Sequence, residues 1–163
     1  MRRQEVIWDL CQSEDEFVQS LQVVLRLFVQ PLRSENGTQW IPGLEPDVAK
    51  LFDWLDDIAQ LHAQLLATMR GCRTNQLPIV TQIAESLRPF VSKLEIHQPY
   101  LVRVDDVTQL IKQMIEDPSS DFGEFVRIQS SASDCSGPLP TLLQKPVERL
   151  FKYPDYFKVL LSP

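Results

Sequence analysis

Apolar residues recur along most of the chain at steps of three and four, the period of a helix with one buried face. Leu10, Phe17, Leu21, Val24 and Phe28 stand seven, four, three and four apart and predict a helix over residues 4–30, which Pro31 ends. The stretch "RSENGTQWIPG" then reads as a loop from its Asn-Gly, Pro and Gly content. Pro46 suits a first helical turn, and from it Val48, Leu51, Phe52, Leu55, Ile58, His62, Leu65, Leu66 and Met69 form one stripe to about Arg70. After the linker "GCRTNQLP", Ile79, Val80, Ile83 and Leu87 predict a third helix with a bend near Arg88, because Pro89 interrupts it before Phe90, Val91 and Leu94 resume the pattern. Asp105 or Asp106 is an N-cap type ahead of Val107, Leu110, Ile111 and Met114, and "EDPSSD" closes that helix. Phe122, Phe125, Val126 and Ile128 predict a short further helix, and "SSASDCSGPLP" a loop. The last helix spans Leu142 to Leu161. Nothing alternates at period two and nothing repeats at solenoid length, so the expected architecture is all-α, an elongated bundle of six or so helices.

Two positions break the pattern. Extending the first stripe by seven residues puts Glu14 where an apolar side chain belongs, and a carboxylate on a seam costs free energy unless it is paired or wet. Either the seam is wet at this turn, with Ile7, Cys11 and Val18 carrying the burial, or Glu14 faces a groove that awaits a partner. In the last helix, Leu143, Val147, Leu150, Pro154, Phe157 and Leu161 define the expected buried face, which also contains a proline; Pro146 lies in the same helix. Two interior prolines would cost about 6 kcal/mol and kink the helix. Opposite them Lys145, Glu148, Lys152 and Asp155 make a polar stripe of interleaved sign, ordinarily a solvated face.

Bulk properties narrow the function. At 163 residues the chain fits a single domain, 1–163. Its net charge of −6 carries no run of Lys or Arg, which argues against nucleic acid and against direct binding to an anionic membrane. No apolar run is long enough to span a bilayer, and no signal-peptide core follows Met1. Cys11, Cys72 and Cys135 are odd in number and far apart, as expected of reduced thiols in a cytoplasmic protein. With His62 and His97 the only histidines, neither a metal site nor a Cys-His nucleophile is expected, and His62 reads as a hydrogen-bonded core residue. A hydrolytic or metal enzyme finds no phosphate loop, ligand cluster or nucleophile motif, and no cofactor is expected.

Against this background, "VIWDLCQSEDEFVQSL" (Val6–Leu21) resembles the first conserved region of Dbl homology (DH) domains, and "LLQKPVERLFKYPDYFKVLL" (Leu142–Leu161) resembles the third, with its Lys-Pro and Lys-Tyr-Pro signature. Between them, "LFDWLDDIAQLHAQLL" and "HQPYLVRVDDVTQLIKQM" are similar to the family's second helix and middle region, in the same order. The resemblance implies a guanine-nucleotide exchange factor (RhoGEF) domain. Its first and last helices would bind both switch regions of a Rho-family small GTPase of Rho, Rac or Cdc42 type, displace Mg²⁺ and release GDP without covalent chemistry. By the same resemblance Glu14 matches the glutamate that contacts switch I and Lys152 the lysine that faces switch II, with Glu148, Arg149 and Asp155 on the same face. Alanine at Glu14 or Lys152 is then expected to abolish most exchange while the helices persist.

Departures from the family pattern are specific. Ser13 and Phe17 replace threonine and tyrosine; Glu148 stands where glutamine is usual; Asp155, Tyr156 and Phe157 replace a leucine triplet. The family's last helix continues past the length of this one and supplies a further asparagine, so the expectation is a truncated last helix with no pleckstrin homology domain in these residues, and membrane recruitment by regions outside them. These departures leave one alternative open, a non-catalytic DH-like module that binds a GTPase or serves as a scaffold.

Overall fold

A computed structural model describes residues 2–33, 39–74 and 79–160, with side chains over the same stretches except at 2–4, 72–74, 79–84 and 86. The expectations for Cys72, for Ile79, Val80 and Ile83 as core side chains, for Leu161 and for the centre of the first loop lie outside the described residues. Seven α-helices occur among them: α1 (Arg2–Val24), α2 (Pro46–Thr74), α3 (Ile79–Ser92), α4 (Gln98–Glu116), α5 (Asp121–Ser130), α6 (Leu139–Leu142) and α7 (Lys145–Leu160). The all-α expectation holds.

α1 ends through a widened π turn, Leu25–Val29, and a 3₁₀ turn, Gln30–Leu32. Pro31 has no N–H to offer the carbonyl four residues back, and that carbonyl, Leu27 O, instead accepts from Gln129 Nε2 of α5 at 2.7 Å. α5 is started by Ser120, whose hydroxyl accepts from Gly123 N at 3.0 Å. It crosses α4 so closely that a Cβ at Gly123 would stand 1.9 Å from Met114 O, which explains the glycine there.

Four boundaries differ from expectation. α2 runs past Arg70 to Thr74, into the stretch expected as a linker. α4 starts at Gln98, well before Asp105, with Pro99 in its first turn and a 3₁₀ turn, Leu94–His97, ahead of it; Asp105 and Asp106 are exposed mid-helix residues. α3 runs through Pro89 to Ser92. The stretch from Leu142 is two helices, since α6 ends at Leu142 and α7 begins at Lys145. Pro146 therefore sits in a first turn, where its missing N–H has no helical partner to lose. Pro154 alone lies inside α7, and it is exposed, not buried as the apolar pattern suggests. The buried residues of α7 are Pro146, Arg149, Tyr153 and Leu160, and Val147, Leu150 and Phe157 are half-buried at the margin.

Burial falls into two apolar clusters. One gathers the C-terminal half of α1 (Leu21, Val24, Phe28), the N-terminal half of α2 (Val48, Leu51, Phe52, Leu55, Ile58), α4 and α6. The other gathers the N-terminal half of α1 (Ile7, Leu10, Cys11), the C-terminal half of α2 (Leu61, Leu65, Leu66, Met69), Leu87 and Phe90 of α3, and α7. α1 and α2 are thus antiparallel and shared by both clusters, and α7 lies along the first half of α1. Between the clusters the core is polar.

Candidate functional site: the α1–α7 groove and its buried floor

The polar junction is built from Glu14, His62, His97, Arg149 and Tyr153. Glu14 is completely enclosed. Its Oε1 accepts from Arg149 Nη2 at 2.8 Å, Arg149 Nε at 3.1 Å and the Tyr153 hydroxyl at 2.6 Å, and its Oε2 lies 2.7 Å from His62 Nδ1. The unpaired, groove-facing Glu14 and the wet-seam reading are both corrected by this geometry: helices α2 and α7 bring three donor side chains, and four hydrogen bonds, to the carboxylate. Burial alone would raise the pKa of Glu14, but His62, Arg149 and Tyr153 together hold it below the ordinary value.

α7 is rotated to serve this contact. Placing Arg149 inward, only 5% exposed, moves the apolar margin residues to the flank and Pro154 to solvent. Arg149 also donates from Nη1 to Ser13 Oγ at 2.8 Å and lies 4.8 Å over the Tyr153 ring. Burial disfavours its charge, but Tyr153 and Glu14 outweigh burial and leave its pKa raised. The Tyr153 phenol is pushed well above its usual value by burial and by the Glu14 charge. His62 behaves as the sequence suggested, a hydrogen-bonded core residue, with Phe17 and Phe90 edge-on to its ring at 4.8 and 5.3 Å.

The histidines are joined, Nε2 to Nε2, at 2.8 Å, and His97 Nδ1 donates to Leu94 O at 2.9 Å. The outer nitrogens of the pair face acceptors, so each carries a hydrogen, and the inner contact needs one more. Burial and the neighbouring His62 lower the pKa of His97 to about 4.

Above this floor α1 and α7 leave a groove of about 170 Å³, walled by Glu16, Phe17 and Ser20 on one side and Lys145, Glu148 and Lys152 on the other, with Ser13 and Arg149 beneath. Lys152, Glu148 and Asp155 are exposed, as the polar stripe implied; Arg149 belongs to the core and meets the groove only as its floor. Further along the seam, Tyr156 ties the helices together, its hydroxyl donating to Asp9 Oδ2 at 2.6 Å and lying 3.2 Å from Ser13 Oγ. Its pKa is raised by burial and by Asp9. Tyr153, Tyr156 and His97 were given no role on sequence grounds. The usable signal was the 3-4-3-4 spacing of Pro146, Arg149, Tyr153, Tyr156 and Leu160. No group of side chains suited to a metal ion occurs among the described residues, and none of their helices is long and apolar enough to cross a membrane.

Comparison with known proteins bears on the groove. The RhoGEF domain family model matches residues 6–162. Among curated proteins, the chain is 30% identical to mouse Intersectin-1 over 99% of its own length and 9% of that protein. It is 27% identical to mouse Rho guanine nucleotide exchange factor 38 (94% and 20%) and 24% identical to human Pleckstrin homology domain-containing family G member 5 (98% and 16%). The chain thus spans at most about a fifth of the length of these relatives.

Proposed function

The chain belongs to the RhoGEF (Dbl homology) domain family, and we propose that its α1–α7 groove is the surface that takes the two switch regions of a Rho-family small GTPase and promotes GDP release. The observation that carries this reading is the match over residues 6–162 together with the exposure of Lys152 and Glu148 on a groove between the two helices that hold the family's signature motifs. Lys152 offers an exposed cation towards switch II, and Glu148 and Asp155 set the sign pattern a partner must complement. Exchange needs no bond made to the protein. It follows if the groove holds the nucleotide-free GTPase more tightly than the loaded one, since a ligand shifts an equilibrium only by its differential affinity.

Glu14 enters this scheme differently from Lys152. Its four internal hydrogen bonds leave the carboxylate no acceptor directed at the groove, so it acts through Arg149 in this conformation and meets switch I only if those bonds open. The same enclosure favours the second reading, a DH-like module that binds a GTPase without ejecting nucleotide. Release of a fluorescent GDP analogue from Rho, Rac and Cdc42 separates the two. An exchange factor accelerates release from at least one of them and loses that effect in Lys152→Ala; a binding module leaves every rate unchanged.

A further inference from the structure

A line of hydrogen bonds runs from the turn after α3 to the floor of the groove: Leu94 O, His97, His62, Glu14, Arg149 and Ser13, each link between 2.7 and 2.9 Å. Neither histidine touches the groove, and both are buried. Two buried imidazoles are expensive to desolvate where leucines would fill the space, so the pair is not explained by packing. What it supplies is direction. His62 Nδ1 is the sole described donor to Glu14 Oε2, and the ring cannot swing, because Phe17 and Phe90 stand edge-on to it and Tyr153 stacks on it at 5.9 Å. Glu14 in turn fixes the guanidinium by two bonds to one oxygen.

We propose that His62 and His97 are positioning residues for the exchange surface: sharing one proton between their Nε2 atoms, they hold Glu14, and through it the Arg149 side chain that floors the α1–α7 groove. The proposal rests on the reading of that groove as the GTPase surface. The charged or titratable groups facing the pair are Glu14 from α1 and Arg149 and Tyr153 from α7, while α3 presents the apolar ring of Phe90. A positioning role predicts that what matters at residue 97 is an acceptor for His62 together with a donor for Leu94 O.

Glutamine can supply both and leucine neither, so His97→Gln and His97→Leu are compared with the parent in GDP release at saturating and subsaturating GTPase, at a temperature where circular dichroism finds all three folded. His97→Gln is expected within about twofold of the parent. His97→Leu is expected to fall about 10- to 100-fold in efficiency, chiefly through a raised KM, as for a displaced contact surface. Equal rates for parent and His97→Leu, or equal losses in both variants, would overturn the role and leave the exchange function standing. Should His97→Leu not fold, imidazole nitrogen NMR of the parent decides: a hydrogen on His97 Nδ1 and a single one between the Nε2 atoms support the relay, and a bare Nδ1 sinks it. A parent that releases GDP from no Rho-family GTPase would overturn the groove reading itself, and the positioning role with it.

Discussion

Glu14 accepts four hydrogen bonds within the protein, from three side chains on two other helices, and its substitution therefore acts first on stability. Glu14→Ala leaves the Arg149 cation buried without its anion, an arrangement that typically costs about 3–5 kcal/mol, so its urea midpoint should fall sharply. Tyr153→Phe removes one donor to Oε1 and the acceptor of the 2.9 Å contact with His62, a loss of about 1–3 kcal/mol in the same titration. Lys152, exposed on the wall, should behave oppositely: Lys152→Ala keeps the parent midpoint within about 0.5 kcal/mol while GDP release falls to the uncatalysed rate. An unchanged midpoint in Glu14→Ala would mean that the enclosed carboxylate is not what neutralises Arg149. The sequence marks Glu14 as an anomaly because heptad spacing is a property of one helix. Its pairing depends on how α2 and α7 are turned about their axes, which spacing within each cannot express.

Single helices, by contrast, were largely readable. α1, α2 and α5 follow their apolar stripes because each buries a continuous face whose period survives in the sequence. Most misplacements fall at prolines, which carry one signal for two situations: a first turn, where no hydrogen bond is lost, and an interior, where one is. Pro99 and Pro146 are of the first kind, and they open α4 and α7; the spacing of α7 alone places Pro146 in an interior. Pro154 is of the second kind. Pro154→Ala should restore an N–H towards Leu150 O and raise stability, by up to about 3 kcal/mol less the ~0.4–1 kcal/mol that proline contributes by restricting the unfolded chain. Pro146→Ala should give no such gain, and equal shifts in thermal midpoint for the two would contradict the assigned start of α7. At the α4–α5 crossing, Gly123→Ala must push the helices apart, with an expected loss of about 1–3 kcal/mol by chemical denaturation.

At the scale of the whole molecule, two apolar clusters are joined through a charged centre, and this makes folding sensitive to acid in two steps. His97 has a folded pKa of about 4 against an ordinary 6.5, so between those values the unfolded chain binds a proton the folded one refuses. Stability must then rise with pH across that window and be lost as pH falls from 6.5 towards 4, by about 3 kcal/mol for the full interval. Glu14, with its folded pKa depressed below 4.5, adds a second limb of the same sign: its contribution is present above the ordinary value and disappears as pH falls through the depressed one. Unfolding free energies measured from pH 7 down to 3 should therefore decline in two stages. In His97→Gln the first stage should vanish, because the amide does not titrate, and the second should remain, because the Arg149 and Tyr153 bonds to Glu14 are untouched. A parent curve that is flat between pH 6.5 and 4.5 would show that His97 takes up its proton without leaving the junction, and that the junction between the two clusters is wetter than its geometry implies.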